Sequence, residues 1–176
     1  IHKYWDSDPA RRRAKLMPFF WHTIAKQGQL YGNRDAGSLV NVTNTYWFSY
    51  PGYSELLTGY FDPSIDSNEY PDNPNHNVLE FINTKKGYQA RVAAFASWDA
   101  LARIINRNRN GILVNVYDED VQSAHLTLLQ KEANSWQRYI PPIFGQGERP
   151  DGNTYAIMKA YLIANHPKVV YLDFGD

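Results

Sequence analysis

Residues 90–96 read Ala-Arg-Val-Ala-Ala-Phe-Ala, and beyond Arg91 every side chain is apolar and most are small. A strand of this kind has no wet face, so it belongs in the middle of a parallel sheet with helices on both sides. Parallel neighbours cannot be joined by a tight hairpin. Each join needs a crossover of a dozen or more residues, usually a helix. The sequence around this run supplies such parts. Residues 112–117 and 169–174 are two further short apolar runs. Residues 78–83 read as a helix, and Ser97 is placed to cap another in which Trp98, Leu101, Ile104 and Ile105 share a face. Residues 120–138 and 154–165 carry longer helical patterns. The expected fold class is α/β, a mostly parallel sheet flanked by helices, in a single domain spanning residues 1–176.

Composition narrows the function classes. The 176 residues are 43% hydrophobic and 20% charged, as in ordinary globular proteins, and 18 basic residues balance 18 acidic ones. A net charge of zero provides no global field for nucleic acid or an anionic membrane. No apolar run is long enough for a membrane span. Without cysteine there can be no disulfide, thiolate metal site or cysteine nucleophile.

The first third is less regular. Pro9 behind Asp8 starts a helix, Pro18 interrupts it, and Phe19, Phe20, Trp21 and Ile24 give a second helix an apolar face that Gly28 closes. Arg11, Arg12, Arg13 and Lys15 read as a solvated basic face, and His22 as a structural histidine without metal-ligand neighbours. Short strands are expected near residues 29–31 and 39–42, with a turn over 33–37.

The chemistry centres on residues 41–59. Residues 41–48 are rich in β-branched and aromatic side chains and read as a strand. A short helix follows, with Pro51 in its first turn and Gly59 just past its end. Ser49 stands at the junction, where a hydroxyl faces the unpaired N–H groups and positive end of a helix. On the turn alone, a helix cap is the commoner role for a serine such as Ser49.

The string Ser49-Tyr-Pro-Gly-Tyr-Ser-Glu-Leu-Leu-Thr-Gly resembles the nucleophile segment of the alkaline phosphatase superfamily, in its phosphodiesterase/nucleotide pyrophosphatase, phosphoglyceromutase-like and sulfatase-like branches. Ser49, Pro51, Gly52, Thr58 and Gly59 fill the positions of that pattern. Leu16-Met-Pro-Phe-Phe-Trp, Ile24-Ala-Lys-Gln-Gly-Gln-Leu-Tyr-Gly-Asn33, Val78-Leu-Glu-Phe-Ile-Asn83 and Val92-Ala-Ala-Phe-Ala-Ser-Trp-Asp99 extend the similarity over most of the chain. The resemblance implies an alkaline-phosphatase-like core and a metal-dependent hydrolase or mutase acting on a small-molecule phosphate or sulfate ester. In it Ser49 is the nucleophile and also touches metal. It further implies two divalent metal ions, commonly zinc, in the complete enzyme, and a periplasmic or secreted location. An Asn in the loop after the nucleophile helix holds a nonbridging oxygen of the substrate. Asn68 fits that place best, with Asn73, Asn75 and Asn77 as competitors and His76 as a plain surface residue.

Two departures qualify this. An Asp on a first strand and a later Asp-Asp…His motif supply the family's metal ligands. Neither is found here: Asp6 and Asp8 lie in a helix start, and Asp173 and Asp176 match no ligand place securely. The chain therefore reads as an internal fragment of a larger catalytic domain, with little activity by itself. Ser97-Trp-Asp-Ala100 also lacks the Lys and Arg that hold a phosphomonoester, and Arg103, Arg107 and Arg109 read as exposed charges. A second function class stays open. Tyr46, Trp47, Tyr50, Tyr53, Tyr60 and Tyr70 cluster in sequence, as a non-catalytic carbohydrate- or protein-binding surface would require.

Overall fold

The computed structural model describes residues 3–142, 145 and 147–175. They fall into two compact units, Ile1–Asn41 and Val42–Asp176.

In the first unit, helix α1 (Pro9–Leu16) is capped by the Asp8 carboxylate, which accepts from the Ala10 and Arg11 N–H groups. Pro18 cannot continue α1. A π-helical turn over Phe20–Ile24 runs into α2 (Ala25–Gln27) instead. Asp6 pairs with Arg11 and Lys15, which together with the Asp8 N–H hold its carboxyl down at about 2, and Asp35 pairs with Arg13. The basic run is thus a solvated, ion-paired face. No side chain of these helices is buried, and His22 is exposed rather than lodged in a core. The strands expected at residues 29–31 and 39–42 do not form, and Arg34–Ala36 is a 3-10 turn closed by Gly37 at φ 74°.

The second unit is an α/β domain. Its elements run α3 (Ser49–Thr58), α4 (Val78–Asn83), β1 (Val92–Ala96), α5 (Leu101–Ile104), α6 (Arg107–Asn110), β2 (Leu113–Val116), α7 (Leu128–Tyr139), α8 (Asp151–Asn165) and β3 (Val169–Asp173). The three strands form one parallel sheet in the order β2-β1-β3, with Phe95 opposite Asn115 on one side and Leu172 on the other. β1 is central and buried along its whole length. Its alternate residues serve two cores. Val92, Ala94 and Ala96 pack with Tyr50, Leu57, Leu79, Leu101 and Ile104 beneath α3–α5. Ala93 and Phe95 pack with Val121, Ala133, Ile157 and Met158 beneath α7 and α8. Small residues on β1 let both helical layers approach closely, which is why the run tolerates so little bulk.

Local chemistry sets the helix ends. Asn77 and Glu80 form a capping box at α4, and Thr127 and Gln130 form one at α7. α7 begins later than residue 120, because the segment ahead of it is used otherwise: Val121 donates its N–H to Asn134 and accepts from the same amide. Ser97 caps no helix. Its hydroxyl bonds Asp151 and Thr154 of α8. No helix among the described residues is long and apolar enough to cross a membrane.

Candidate functional site

Residues 41–48 are not a strand. The Glu55 carboxylate, one turn from the end of α3, takes four hydrogen bonds: two from Thr43 (N–H and hydroxyl, 2.6 and 2.8 Å) and two from Asn44 (N–H and amide, 3.0 and 2.8 Å). Burial opposes ionisation of Glu55, but these donors prevail and hold its carboxyl at about 2. Asn44 in turn accepts from the Tyr46 and Trp47 N–H groups through Oδ1, and Trp47 sits in the left-handed region at φ 53°. A side chain that captures its own backbone donors removes them from any sheet. The expected strand is therefore replaced by a turn pinned to α3.

Out of that turn Ser49 emerges as the first residue of α3, exposed to solvent. Pro51 lies in the first turn, and Gly59 ends the helix at φ 83°. The neighbouring backbone donors are occupied: the Tyr50 N–H bonds Asn68 Oδ1 at 2.9 Å, Pro51 has none, and the Gly52 N–H bonds the Phe48 carbonyl. The amides after Ser49 thus form no open oxyanion cradle. What remains is the Nδ2 end of Asn68, whose orientation is set because Oδ1 is the acceptor. The Asn68 carbonyl is clamped by Arg103 at 3.0 Å. Arg103 is therefore more than an exposed charge, and so is Arg109, which grips Glu80 and the carbonyls of Asn73, Pro74 and Asn75. Arg107 pairs with Glu119.

The competing asparagines have other duties. Asn73 is buried and donates to the Ser54 hydroxyl, Asn75 bonds Asp62 and Tyr60, and Asn77 caps α4. His76 is exposed beside Glu80. Asn68 alone of the four lines a cavity with Ser49. That cavity, about 320 Å3, is also bounded by Tyr53, Trp98, Glu148 and Asp173 through Gly175. It opens where β1 and β3 end, the position at which ligands bind in open parallel sheets. Asp176 lies outside the described residues.

A polar network joins the three strand ends. Arg149, only 4% exposed, donates to Thr154, Gln137 and Asn115, the last at the end of β2. Thr154 meets Ser97 after β1, and Ser97 meets Asp151, which also accepts from the Gly175 N–H after β3. Burial lowers the Arg149 guanidinium to about 10, so it stays charged at neutral pH. Asp173 is pushed up, first by burial and further by Asp151 and Glu148, with the Tyr53 hydroxyl at 3.0 Å opposing. Tyr53 itself is raised to about 12, chiefly by burial.

Ser49 and Tyr53 also border a second, apolar groove of about 520 Å3 lined by Val42, Trp47, Phe48 and Leu56. Among the described residues no three His, Cys, Asp or Glu side chains gather to hold a metal ion, and no hydrogen bond engages the Ser49 hydroxyl. Those residues do not by themselves make the two-metal centre that the resemblance implies.

Ser49 and Asn68, the two residues that sequence reasoning singles out, line one cavity. Sequence reasoning gave Tyr53 only to an aromatic surface and Arg103 only to an exposed charge, left Asp173 unassigned, and did not single out Glu148 or Glu55. Glu55 carried the clearest signal, as an acid one helix length behind a Thr-Asn pair. No family model, curated protein or solved structure matches this chain.

Proposed function

We infer that this protein carries the nucleophile of a hydrolase or mutase acting on phosphate or sulfate esters, with Ser49 as the attacking hydroxyl and Asn68 as a donor to a nonbridging oxygen. The observation that carries the reading is the shared cavity at the sheet's carboxyl edge, into which an exposed Ser49 opens beside Asn68. The resemblance of residues 46–59 to the alkaline phosphatase superfamily, and with it an alkaline-phosphatase-like arrangement of the core, supports it further. Ser49 Oγ would bond to phosphorus or sulfur as the bond to the leaving alcohol breaks, and water or a second hydroxyl would later release the group. A hydroxyl is a weak nucleophile at its ordinary pKa, and the described residues place no base on it. Activating metal ions of the implied kind would need ligands beyond those residues.

The test is incubation with 4-nitrophenyl phosphate, bis(4-nitrophenyl) phosphate and 4-nitrophenyl sulfate in added zinc, followed by acid quench and peptide mass analysis. The expected product is a phosphoryl or sulfuryl adduct on Ser49, absent from Ser49→Ala. Asn68→Ala should slow its formation on the order of a hundred- to a thousand-fold, as loss of one oxyanion donor does. An adduct that survives Ser49→Ala, or none on an unaltered protein shown to have metal ions bound, overturns the assignment.

A second reading, a non-catalytic carbohydrate- or protein-binding surface, is favoured by one feature: Trp47 is 82% exposed beside Phe48 and Leu56. It predicts ligand binding that ignores Ser49→Ala.

A further inference from the structure

Helices α7 and α8 cover the opposite face of the sheet from α3–α5, so their outward side belongs to a different layer from the Ser49 helix. A helix laid over a core ordinarily turns a polar side to water. These two do not. Leu129, Trp136 and Tyr139 of α7 and Tyr155 and Ile163 of α8 are all between 39% and 80% exposed. Glu132 lies one turn from both Leu129 and Trp136, and Lys159 lies one turn from both Tyr155 and Ile163, so each helix presents one strip. The two strips meet along a groove of about 210 Å3 that Leu129, Glu132, Trp136, Tyr155 and Lys159 line together.

The three rings alone leave on the order of 300 Å2 of apolar surface in water, as much as the largest patch of many monomers. Leu129, Ile163 and the alkyl stem of Lys159 extend it towards the roughly 800 Å2 per partner that a standard interface covers. The charges say what covers it. Among the described residues the Glu132 carboxylate has no ion-pair or hydrogen-bond partner, and the Lys159 ammonium meets only the Tyr155 ring, at 5.8 Å. One free acid and one free base on opposite sides of a groove make the face its own complement. In a two-fold pair the same patch meets itself, so Glu132 of each copy faces Lys159 of the other and two ion pairs flank the rings. A net charge of zero adds no repulsion between copies. A membrane surface would call for several basic side chains, and the strip carries Lys159 alone.

We propose that the outward face of α7 and α8 is a two-fold interface with a second copy of this chain, built on Trp136 and Tyr155 and closed by reciprocal Glu132–Lys159 pairs.

Sedimentation velocity of the full chain tests this. The unaltered protein should pass from monomer to dimer as its concentration rises through the micromolar range. Glu132→Lys and Lys159→Glu should each raise the dimer Kd at least about tenfold, because each sets two like-charge pairs in the interface. An equimolar mixture of those two variants should restore the dimer, since each then complements the other, and the double variant should restore it alone. Trp136→Ala should weaken the dimer about tenfold or more, as loss of a central aromatic anchor does. Glu132, Trp136 and Lys159 are exposed, so every variant should keep the wild-type far-ultraviolet circular dichroism. A chain that stays monomeric up to millimolar concentration overturns the proposal, and so does a dimer indifferent to Trp136→Ala and to both charge reversals. Charge-reversed variants that are monomeric alone and remain so when mixed overturn the reciprocal pairing and with it the two-fold contact. A monomer that binds vesicles of phosphatidylcholine and phosphatidylserine, and loses them on Trp136→Ala, overturns the second copy in favour of a membrane.

Discussion

Residues 92–96 and residues 41–48 are both extended in composition, and the second stretch has more β-branched and aromatic side chains, yet only the first is a strand. β1 has a neighbour on each side and a helical layer on each face, and it contains no side chain able to compete for its own backbone. Residues 41–48 contain Asn44, which captures two of their N–H groups, and Glu55 waits on α3 to capture more. Strand propensity describes how a side chain suits a half-buried pleated surface. Where a polar side chain satisfies the backbone first, that suitability has nothing to act on. One region is held by burial and the other by hydrogen bonds to a carboxylate, so the two should fail differently.

The largest effect should come from β1. Phe95 is fully buried, touching Tyr161 at 5.4 Å between ring centres, and Phe95→Ala should cost about 3–5 kcal/mol. Urea unfolding should show the midpoint drop for the whole of residues 42–176 in one transition. A loss under about 1 kcal/mol would mean that the sheet is not the main source of stability.

Next comes the turn. Glu55→Ala should cost about 1.5–3 kcal/mol, the range for hydrogen bonds to a charged group, and should release Trp47. The variant's near-ultraviolet circular dichroism should change while amide exchange in β1 stays slow. Equal acceleration in both places would erase the contrast between the strand and the turn.

pH sharpens it with two opposite signs. The folded pKa of Glu55 is depressed to about 2, so its contribution is present above the ordinary carboxylate range and fades as pH falls from about 5 towards 2. The folded pKa of Asp173 is raised, so stability tied to it is fullest below the ordinary carboxylate range and declines as pH rises. Glu55→Gln should flatten the acid limb of a melting-temperature profile. Asp173→Asn should raise the melting temperature more at pH 7 than at pH 4. The same displacement at both pH values would show that the Asp173 carboxyl titrates as it would in water.

Ser49→Ala should have the smallest effect. The hydroxyl is exposed, and no side chain caps α3, so stability should change by less than about 0.5 kcal/mol. A loss of about 1 kcal/mol or more would assign Ser49 the capping role that the turn alone also permits.

Much of this protein could be read from local chemistry. The capping box of Asn77 and Glu80 starts α4 where the pattern places it, Gly59 ends α3 in the left-handed conformation, and the small apolar run forms the central parallel strand. These features depend on residues a few positions apart, or on a face pattern that one strand contains in full. Other features required the folded chain. Glu55 reaches back eleven and twelve residues to cancel a strand. Arg103 clamps the carbonyl of Asn68 from α5, and Tyr53 meets Asp173 across 120 residues. A sequence pattern states what each side chain can do, including that Ser49 can stand at the start of a helix. Which carboxylates, amides and rings face that hydroxyl is decided by how the strand ends and loops are brought to one edge, and short-range periodicity does not encode that.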